Sequence, residues 1–261
     1  MTETDRSGFY TGFVADHYDL LVPEDEGGSY VFFENVIREA GGPALELACG
    51  TGRPILAFRS KGLDVEGIDS SADMLERCRR KAREMGVEVA LHEQRMESFE
   101  LDRRFRTVFV VSGSFMLLPD DESVLRSLRA IHRHLEPGGR VYLAMHLPAL
   151  GKGFQPGRDW VVNRKATRED GKVAQCLARL ARFDEAERVF ETTLRYQLLD
   201  DGEVEYEEDR DFLLHWHTQP QFPALLEEAG FEDVRALRDD GEPSEPDDHA
   251  FNFVGRRPET A

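Results

Sequence analysis

Apolar residues follow two different patterns over the first 150 residues of the chain. Short apolar runs predict buried strands, and the stretches between them carry apolar residues at helical spacing, which predicts amphipathic helices. The predicted strands occupy 44–48, 64–68, 87–91, 107–111 and 140–146, and the predicted helices 29–40, 54–60, 71–85 and 121–135. This alternation predicts an α/β fold built on a doubly wound, mostly parallel sheet.

The pattern changes between about residues 158 and 214, where long strand-like runs are separated by turn signals. Asp170-Gly171, Asp184-Glu185 and Asp201-Gly202 mark these turns, and Asp-Gly between such runs is typical of a hairpin. Residues 151–212 are therefore predicted to form an inserted antiparallel sheet of three or four strands, a substrate roof or a dimer contact. Residues 1–150 and 213–261 are predicted to form the core.

The two ends of the core are predicted less regularly. A helix at 220–229 and strands near 231–238 and 249–255 complete a seven-stranded sheet, whereas residues 8–30 are predicted to be an irregular, aromatic lead-in.

The first strand is followed by a glycine-rich turn, Glu46-Leu-Ala-Cys-Gly-Thr-Gly52. Glycine lets the backbone turn sharply and leaves space for a ligand, and the N-terminus of the next helix favours a negative group. Asp69 ends the following strand, where its carboxylate can accept hydrogen bonds from two ribose hydroxyls. These features predict a nucleoside-binding βαβ unit. A dinucleotide fingerprint would need a third glycine where Ile55 stands.

The turn resembles the first motif of the class I S-adenosylmethionine (SAM) methyltransferases, (Asp/Glu)-x-Gly-x-Gly-x-Gly, with Ala48 in place of the first glycine. Segments 67–75, 91–99, 104–114, 135–146 and 225–231 resemble later motifs of this family in the same order. The similarity extends to bacterial small-molecule methyltransferases, including aminosugar N,N-dimethyltransferases. It implies a Rossmann-like fold and SAM as the cofactor.

The resemblance also implies a set of cofactor-binding residues. Asp69 would hold the ribose, Met74 would pack on adenine, and Ser112 would face the methionine part. Arg95, beside Met96, stands where the family has an Asp that contacts the adenine amino group, so a backbone group or Gln94 could make that contact instead. The implied cofactor-binding residues are Tyr18, Glu46, Ala48, Gly50, Gly52, Asp69, Ser70, Met74, Arg95, Met96 and Ser112.

His146 ends the fifth predicted strand, at the sheet edge where ligands bind in such folds. It is a candidate substrate contact or general base, or else a histidine that caps the strand end. Tyr10 and Trp216 are candidate substrate contacts, although both could be structural. His215 and His217 share one face of a strand, but no carboxylate or cysteine follows at ligand spacing, so no metal site is predicted.

Charge and cysteine content narrow the choice of partner and compartment. The net charge of −18 would repel phosphate backbones and anionic membranes, which excludes nucleic acid and membrane as partners. Three scattered cysteines, with no apolar signal or membrane-spanning segment, predict a reducing, cytoplasmic setting. The expected partner is a small-molecule acceptor, with a homodimer through the insertion.

The leading functional hypothesis is SAM-dependent methyl transfer to nitrogen or oxygen of a small molecule by in-line displacement. Two alternatives belong to other classes. An NAD(P)-dependent oxidoreductase would need the missing third glycine, and the chain has no Tyr-x-x-x-Lys pair. A non-catalytic nucleotide-binding or assembly module would have little use for an acid and two glycines in this order.

Overall fold

The structure is a computed structural model that describes residues 8–22, 29–148, 157 and 159–259. The helices are α1 (Gly12–Leu21), α2 (Ser29–Ala40), α3 (Ile55–Ser60), α4 (Ala72–Met85), α5 (Asp121–His134) and α6 (Phe222–Glu228). The strands are β1 (Ala44–Leu47), β2 (Val65–Asp69), β3 (Leu91–Glu93), β4 (Phe105–Val110), β5 (Leu135–His146), β6 (Val161–Thr167), β7 (Val173–Asp184), β8 (Val189–Asp200), β9 (Glu203–His215), β10 (Glu232–Leu237) and β11 (Ala250–Arg256). They divide between two units, Met1–Glu26 with Ala149–Leu214 and Gly27–Pro148 with His215–Ala261.

The second unit is built on a seven-stranded sheet in the order β10-β11-β5-β4-β1-β2-β3. Strands β1 to β5 pair in parallel, and β11 pairs antiparallel with both β5 and β10. Strands β2 and β3 extend the sheet on one side of β1, and β4 and β5 extend it on the other side. Folds with this reversal of strand order have a ligand-binding crevice beyond the carboxyl ends of the two central strands, here β1 and β4. The predicted α/β fold, with its doubly wound, mostly parallel sheet, is confirmed.

Local signals explain where the long helices of this unit begin and end. The Ser71 hydroxyl accepts a hydrogen bond from the Met74 N–H at 3.2 Å and begins α4, and Gly86, at φ 66°, ends it. The Asp120 carboxylate accepts from the Ser123 N–H at 2.8 Å and begins α5. These caps fix where the helices that follow β2 and β4 begin, at the carboxyl edge of the sheet.

The first unit contains a four-stranded antiparallel sheet in the order β6-β7-β8-β9. Its turns lie at the predicted Asp170-Gly171, Asp184-Glu185 and Asp201-Gly202 positions, and Gly171 and Gly202 adopt φ values of 84° and 88°. Val14 and Leu21 of α1 pack in an apolar cluster with residues of β7 and β8. The inserted antiparallel sheet is thus confirmed, with four strands.

Two predictions at the level of elements are wrong. The lead-in at 8–30 contains α1, because Val14, Ala15, His17 and Leu21 form a buried stripe at helical spacing; residues 23–28 lie outside the described ranges. The third strand begins at Leu91 instead of residue 87, because the Val87 N–H bonds back to the Ala82 carbonyl and prolongs the cap of α4. Among the helices of the described ranges, none has the length and apolar character that crossing a bilayer requires.

Candidate cofactor and active site

The turn after β1 forms a glycine cradle, defined here as residues 46–52. Gly50 and Gly52 adopt φ values of 52° and 96°, which L side chains rarely tolerate. A Cβ on Gly52 would lie 2.7 Å from Cys78 Sγ and 2.8 Å from Leu56, and one on Gly50 would lie 3.3 Å from Met74 Cε. The cradle therefore needs glycine at both positions to keep its path.

Ala48 also adopts a left-handed conformation, with φ 57°. It stands where the resembled motif has its first glycine, so the local backbone keeps the shape that glycine would take. An L residue in this conformation carries a strain of about 1–2 kcal/mol. The substitution thus preserves the turn at an energetic cost.

The Asp69 carboxylate ties the cradle to the end of β2. The Gly50 N–H donates to Oδ2 and the Ser71 N–H donates to Oδ1, each at 2.8 Å. Burial raises the pKa of Asp69 above its usual value, although hydrogen bonds from the backbone N–H groups of Ser71, Gly50 and Ser70 partly oppose the rise. These three N–H groups occupy three of the about four acceptor positions of a carboxylate, so Asp69 keeps capacity for at least one ribose hydroxyl.

Glu46 is fully buried near the end of β1. Neither carboxylate oxygen accepts a hydrogen bond of standard geometry from the residues that the structure describes, although the Ile55 backbone N–H is close enough to affect the carboxylate. Burial raises the pKa of Glu46 well above its usual value, and the charge of Asp69 raises it further, with a small opposing effect from the Ile55 backbone N–H. Two orphaned acceptor atoms beside a glycine cradle fit a ligand that brings its own donor or positive charge.

The polar side chains of the loop after β3 form hydrogen bonds and ion pairs with neighbouring residues. The Gln94 amide donates to the Glu100 carbonyl at 3.1 Å and its oxygen accepts from the Glu100 N–H at 2.8 Å. Arg95 pairs with Glu97 at 2.6 Å. These bonds leave the backbone of this loop as the better candidate for an adenine contact, in place of Gln94.

Two methionines lie on the side of the site where adenine is expected. Met74 is buried at the start of α4 against Gly50, and Ser70, just before it, is exposed. Met96 is half-buried, and its carbonyl accepts a hydrogen bond from the Ser127 hydroxyl at 3.0 Å. The structure thus holds Met74 at the cradle, as the resemblance implies, while its contact with adenine stays a prediction.

His146 ends β5 and lies against the loop that follows β4. Ser112 and Gly113 in this loop adopt φ values of 56° and 71°, and a Cβ on Gly113 would come within 2.7 Å of the His146 Nδ1. His146 is exposed, yet the burial of its ring against this backbone lowers its pKa below 6.5. Because β4 and β5 are parallel neighbours, Ser112 and His146 lie together at the carboxyl edge of the sheet.

The other predicted site residues lie in different surroundings. Tyr10 and Tyr18 belong to the first unit, where their rings meet edge to face with centroids 5.8 Å apart. Trp216 belongs to the second unit and is buried. The contacts predicted for these three residues with cofactor or substrate stay predictions.

Sequence reasoning missed one cluster of side chains. His215 and His217 lie with their ring centroids 4.6 Å apart, and Asp121 Oδ1 lies 2.8 Å from His217 Nε2. No carboxylate follows the histidines at ligand spacing, as expected from the sequence, but the structure places Asp121 beside them from an earlier part of the chain. Asp121 precedes His217 by 96 residues, so ligand spacing could not reveal it. The available signal was the helix start at Asp120-Asp121, which places carboxylates at the sheet edge.

Comparisons with known proteins agree with this geometry. Residues 44–139 match a family model described as a methyltransferase domain. The dTDP-3-amino-3,4,6-trideoxy-alpha-D-glucopyranose N,N-dimethyltransferase of Streptomyces venezuelae is 27% identical over 187 residues, covering 71% of this chain and 73% of that protein. The dTDP-3-amino-3,6-dideoxy-alpha-D-glucopyranose N,N-dimethyltransferase of Streptomyces fradiae is 31% identical, covering 51% and 52%. The chain spans about half the length of several curated relatives that it matches.

Solved structures show the same fold across most of the chain. The sugar N-methyltransferase from a Streptoalloteichus species is 25% identical, with a TM-score of 0.68, covering 89% of this chain and 88% of that one.

Proposed function

Because the chain belongs to the class I SAM-dependent methyltransferases, we propose that it transfers a methyl group from SAM to an amine nitrogen of a small molecule. SAM supplies a sulfonium-activated methyl group, so the protein mainly has to align a nucleophile with the methyl–sulfur axis and exclude water. The observation that carries the proposal is the cradle itself, with the orphaned carboxylate of Glu46 on one side and Asp69 on the other.

The cradle residues fit the parts of SAM by charge and shape. Glu46 offers two buried acceptors to the positively charged end of the cofactor, and Asp69 offers its remaining acceptor positions to the ribose. Gly50 and Gly52 keep the backbone of the turn in its left-handed path, because a Cβ at these positions would approach Met74 and Cys78.

The choice of nitrogen rests on two kinds of support. Relatives over much of this chain are named as N,N-dimethyltransferases of amino sugars, and a structural relative as a sugar N-methyltransferase. In addition, the lowered pKa of His146 keeps its imidazole neutral near pH 7, which suits a group that accepts a proton from an ammonium. A hydroxyl acceptor would need a stronger base.

The proposed role of His146 is to prepare the acceptor. An amine bound at the carboxyl edge of β4 and β5 would lose its proton to the neutral imidazole. Its freed lone pair would then form a bond to the methyl carbon that SAM supplies, as the methyl–sulfur bond breaks and S-adenosylhomocysteine leaves. The left-handed turn at Gly113 leaves room for the imidazole ring, because a Cβ at this position would come within 2.7 Å of the His146 Nδ1. The proton leaves from His146 to solvent, because the side chain is exposed.

The proposal includes the partners and setting of the enzyme. The acceptor is a small molecule, since the net charge of −18 disfavours nucleic acid and anionic membranes, and the cytoplasm is the proposed compartment.

A homodimer through the β6 edge is proposed because Val161 and Val162 are each 54% exposed on that strand. Light scattering tests the dimer: Val162→Glu should give a monomer if this edge forms it, and a monomeric native chain would refute it.

A paired-acceptor assay tests the nitrogen assignment. Release of S-adenosylhomocysteine is measured with aminodeoxy-sugar nucleotides and with the same sugars carrying hydroxyl in place of the amine. We expect turnover with an amine member of a pair and none with its hydroxyl counterpart, with product mass increased by one or two methyl groups. Turnover on hydroxyl members alone would overturn the nitrogen assignment and leave the methyltransferase assignment intact.

A further inference from the structure

The cluster of Asp121, His215 and His217 combines two buried imidazoles with a carboxylate from a separate part of the chain. Asp121 is the first residue of α5, His215 ends β9 and His217 lies two residues further on. The Nε2 atoms of His217 and His215 lie 2.8 and 3.6 Å from Asp121 Oδ1. One ligand atom from each residue lies within 4.8 Å of the other two.

These separations match the needs of a small transition-metal ion. With metal–ligand bonds of about 2.0–2.1 Å at tetrahedral angles, neighbouring ligand atoms lie about 3.3 Å apart. The two measured separations from Asp121 lie on either side of this value. A cation would therefore replace the hydrogen bond between His217 and Asp121, and the separations of the three ligand atoms would change by up to about 1.5 Å.

The surroundings hold the three groups in place and leave one side open. The Phe222 ring packs edge-on against His217 with centroids 5.1 Å apart, and both histidines are buried. The Asp121 side chain is 45% exposed and gives access from solvent. The preceding Asp120 caps the Ser123 N–H, whereas Asp121 is the carboxylate that lies beside the two histidines.

We propose that Asp121, His215 and His217 form a binding site for a divalent transition metal of the Zn²⁺ type. Two imidazoles and one carboxylate suit Zn²⁺ and Co²⁺, whereas Mg²⁺ and Ca²⁺ prefer all-oxygen ligands. Water from the exposed side completes the coordination. The bound ion joins the segment 215–217 to the first turn of α5, beside the carboxyl end of β4, and this site goes beyond the proposed methyl transfer.

Titration of the full chain with Co²⁺, followed by visible absorption, tests the site directly. We expect one Co²⁺ per chain with a ligand-field spectrum typical of nitrogen and oxygen ligands, and displacement of Co²⁺ by added Zn²⁺. Asp121→Asn and His217→Gln should each weaken binding at least about tenfold. Glu122→Gln is the matched control, because it removes the neighbouring charge from the same helical turn, where Glu122 pairs with Arg126 at 2.8 Å.

Folding of each variant is checked by far-UV circular dichroism and by binding of S-adenosylhomocysteine. If His217→Gln does not fold, Asp121→Asn still decides, because its side chain is on the exposed side of the cluster. The absence of saturable binding to the native chain, or equal affinity in Asp121→Asn and Glu122→Gln, would overturn the site. A thiolate spectrum would overturn it too, by assigning the ion to Cys49, Cys78 or Cys176.

Discussion

Glu46→Gln removes an ionisable group from a fully buried position while keeping its shape. Burial, and then the charge of Asp69, raise the folded-state pKa of Glu46 well above 4.5. The folded protein therefore binds this proton more tightly than the unfolded chain does. The contribution to stability is fully present below about pH 4.5 and is lost as the pH rises toward the folded-state pKa. The Gln variant has no such loss.

The size of the effect follows from the displacement of the pKa. Each pH unit between the unfolded and folded pKa values corresponds to about 1.4 kcal/mol of unfolding free energy. In a chain of this size that is about 3–5 °C in melting temperature per unit. The Gln amide adds buried N–H donors, which change the melting temperature of the variant by the same amount at every pH. The prediction is therefore that the melting temperature of Glu46→Gln relative to native rises between pH 4.5 and pH 8 without cofactor.

Thermal melts followed by circular dichroism across this pH range provide the assay. Glu93→Gln is the control, because it makes the same chemical change at an exposed position at the end of β3 in the same sheet. Saturating SAM should stabilise the native chain more than Glu46→Gln, since the variant loses the charge offered to the ligand. A pH-independent difference for Glu46→Gln would refute the buried, unpartnered carboxylate.

Four further predictions concern the same unit. Asp69→Ala should weaken SAM binding by about 10–10²-fold for each ribose hydrogen bond that is lost, because a charge-assisted hydrogen bond is worth about 1.5–3 kcal/mol; unchanged affinity by calorimetry would refute the ribose contact. His146→Ala should lower kcat by about 10²–10⁴-fold with SAM affinity unchanged, and native kcat should fall with acidification below pH 6.5; a loss confined to the acceptor KM would indicate positioning only. Ala48→Gly should change stability by about 0–1.5 kcal/mol in the stabilising direction, because relief of the left-handed strain exceeds the added unfolded-chain entropy; a destabilised variant in denaturant melts would contradict this. Metal chelation should leave methyl transfer unchanged, and inactivation reversed by zinc would tie the Asp121 cluster to catalysis.

Local signals in the sequence were sufficient for the framework of the fold. The Asp-Gly turns and the apolar strands each depend on residues close in sequence, and the structure agrees with them. The cradle could be predicted for the same reason, because its glycines and Asp69 belong to one βαβ unit. Pattern reading is reliable where the physical cause is local.

The missed features depend on contacts between distant segments or on competing local bonds. The helix α1 is short, and its apolar residues are buried by packing against the inserted sheet of the same unit, which is distant in sequence. The cluster of Asp121 with two histidines joins residues 96 positions apart, so no spacing rule applies. The commitment of Gln94 to the Glu100 backbone likewise depends on how the loop after β3 closes.

Calorimetric titration of the full chain with S-adenosylhomocysteine and, separately, with NADH tests the central claim most directly. The cradle geometry and Asp69 predict saturable one-to-one binding of S-adenosylhomocysteine, lost or strongly weakened in Asp69→Ala, and no binding of NADH. Binding of NADH without S-adenosylhomocysteine would contradict the account and move the chain to the dinucleotide-dependent enzymes.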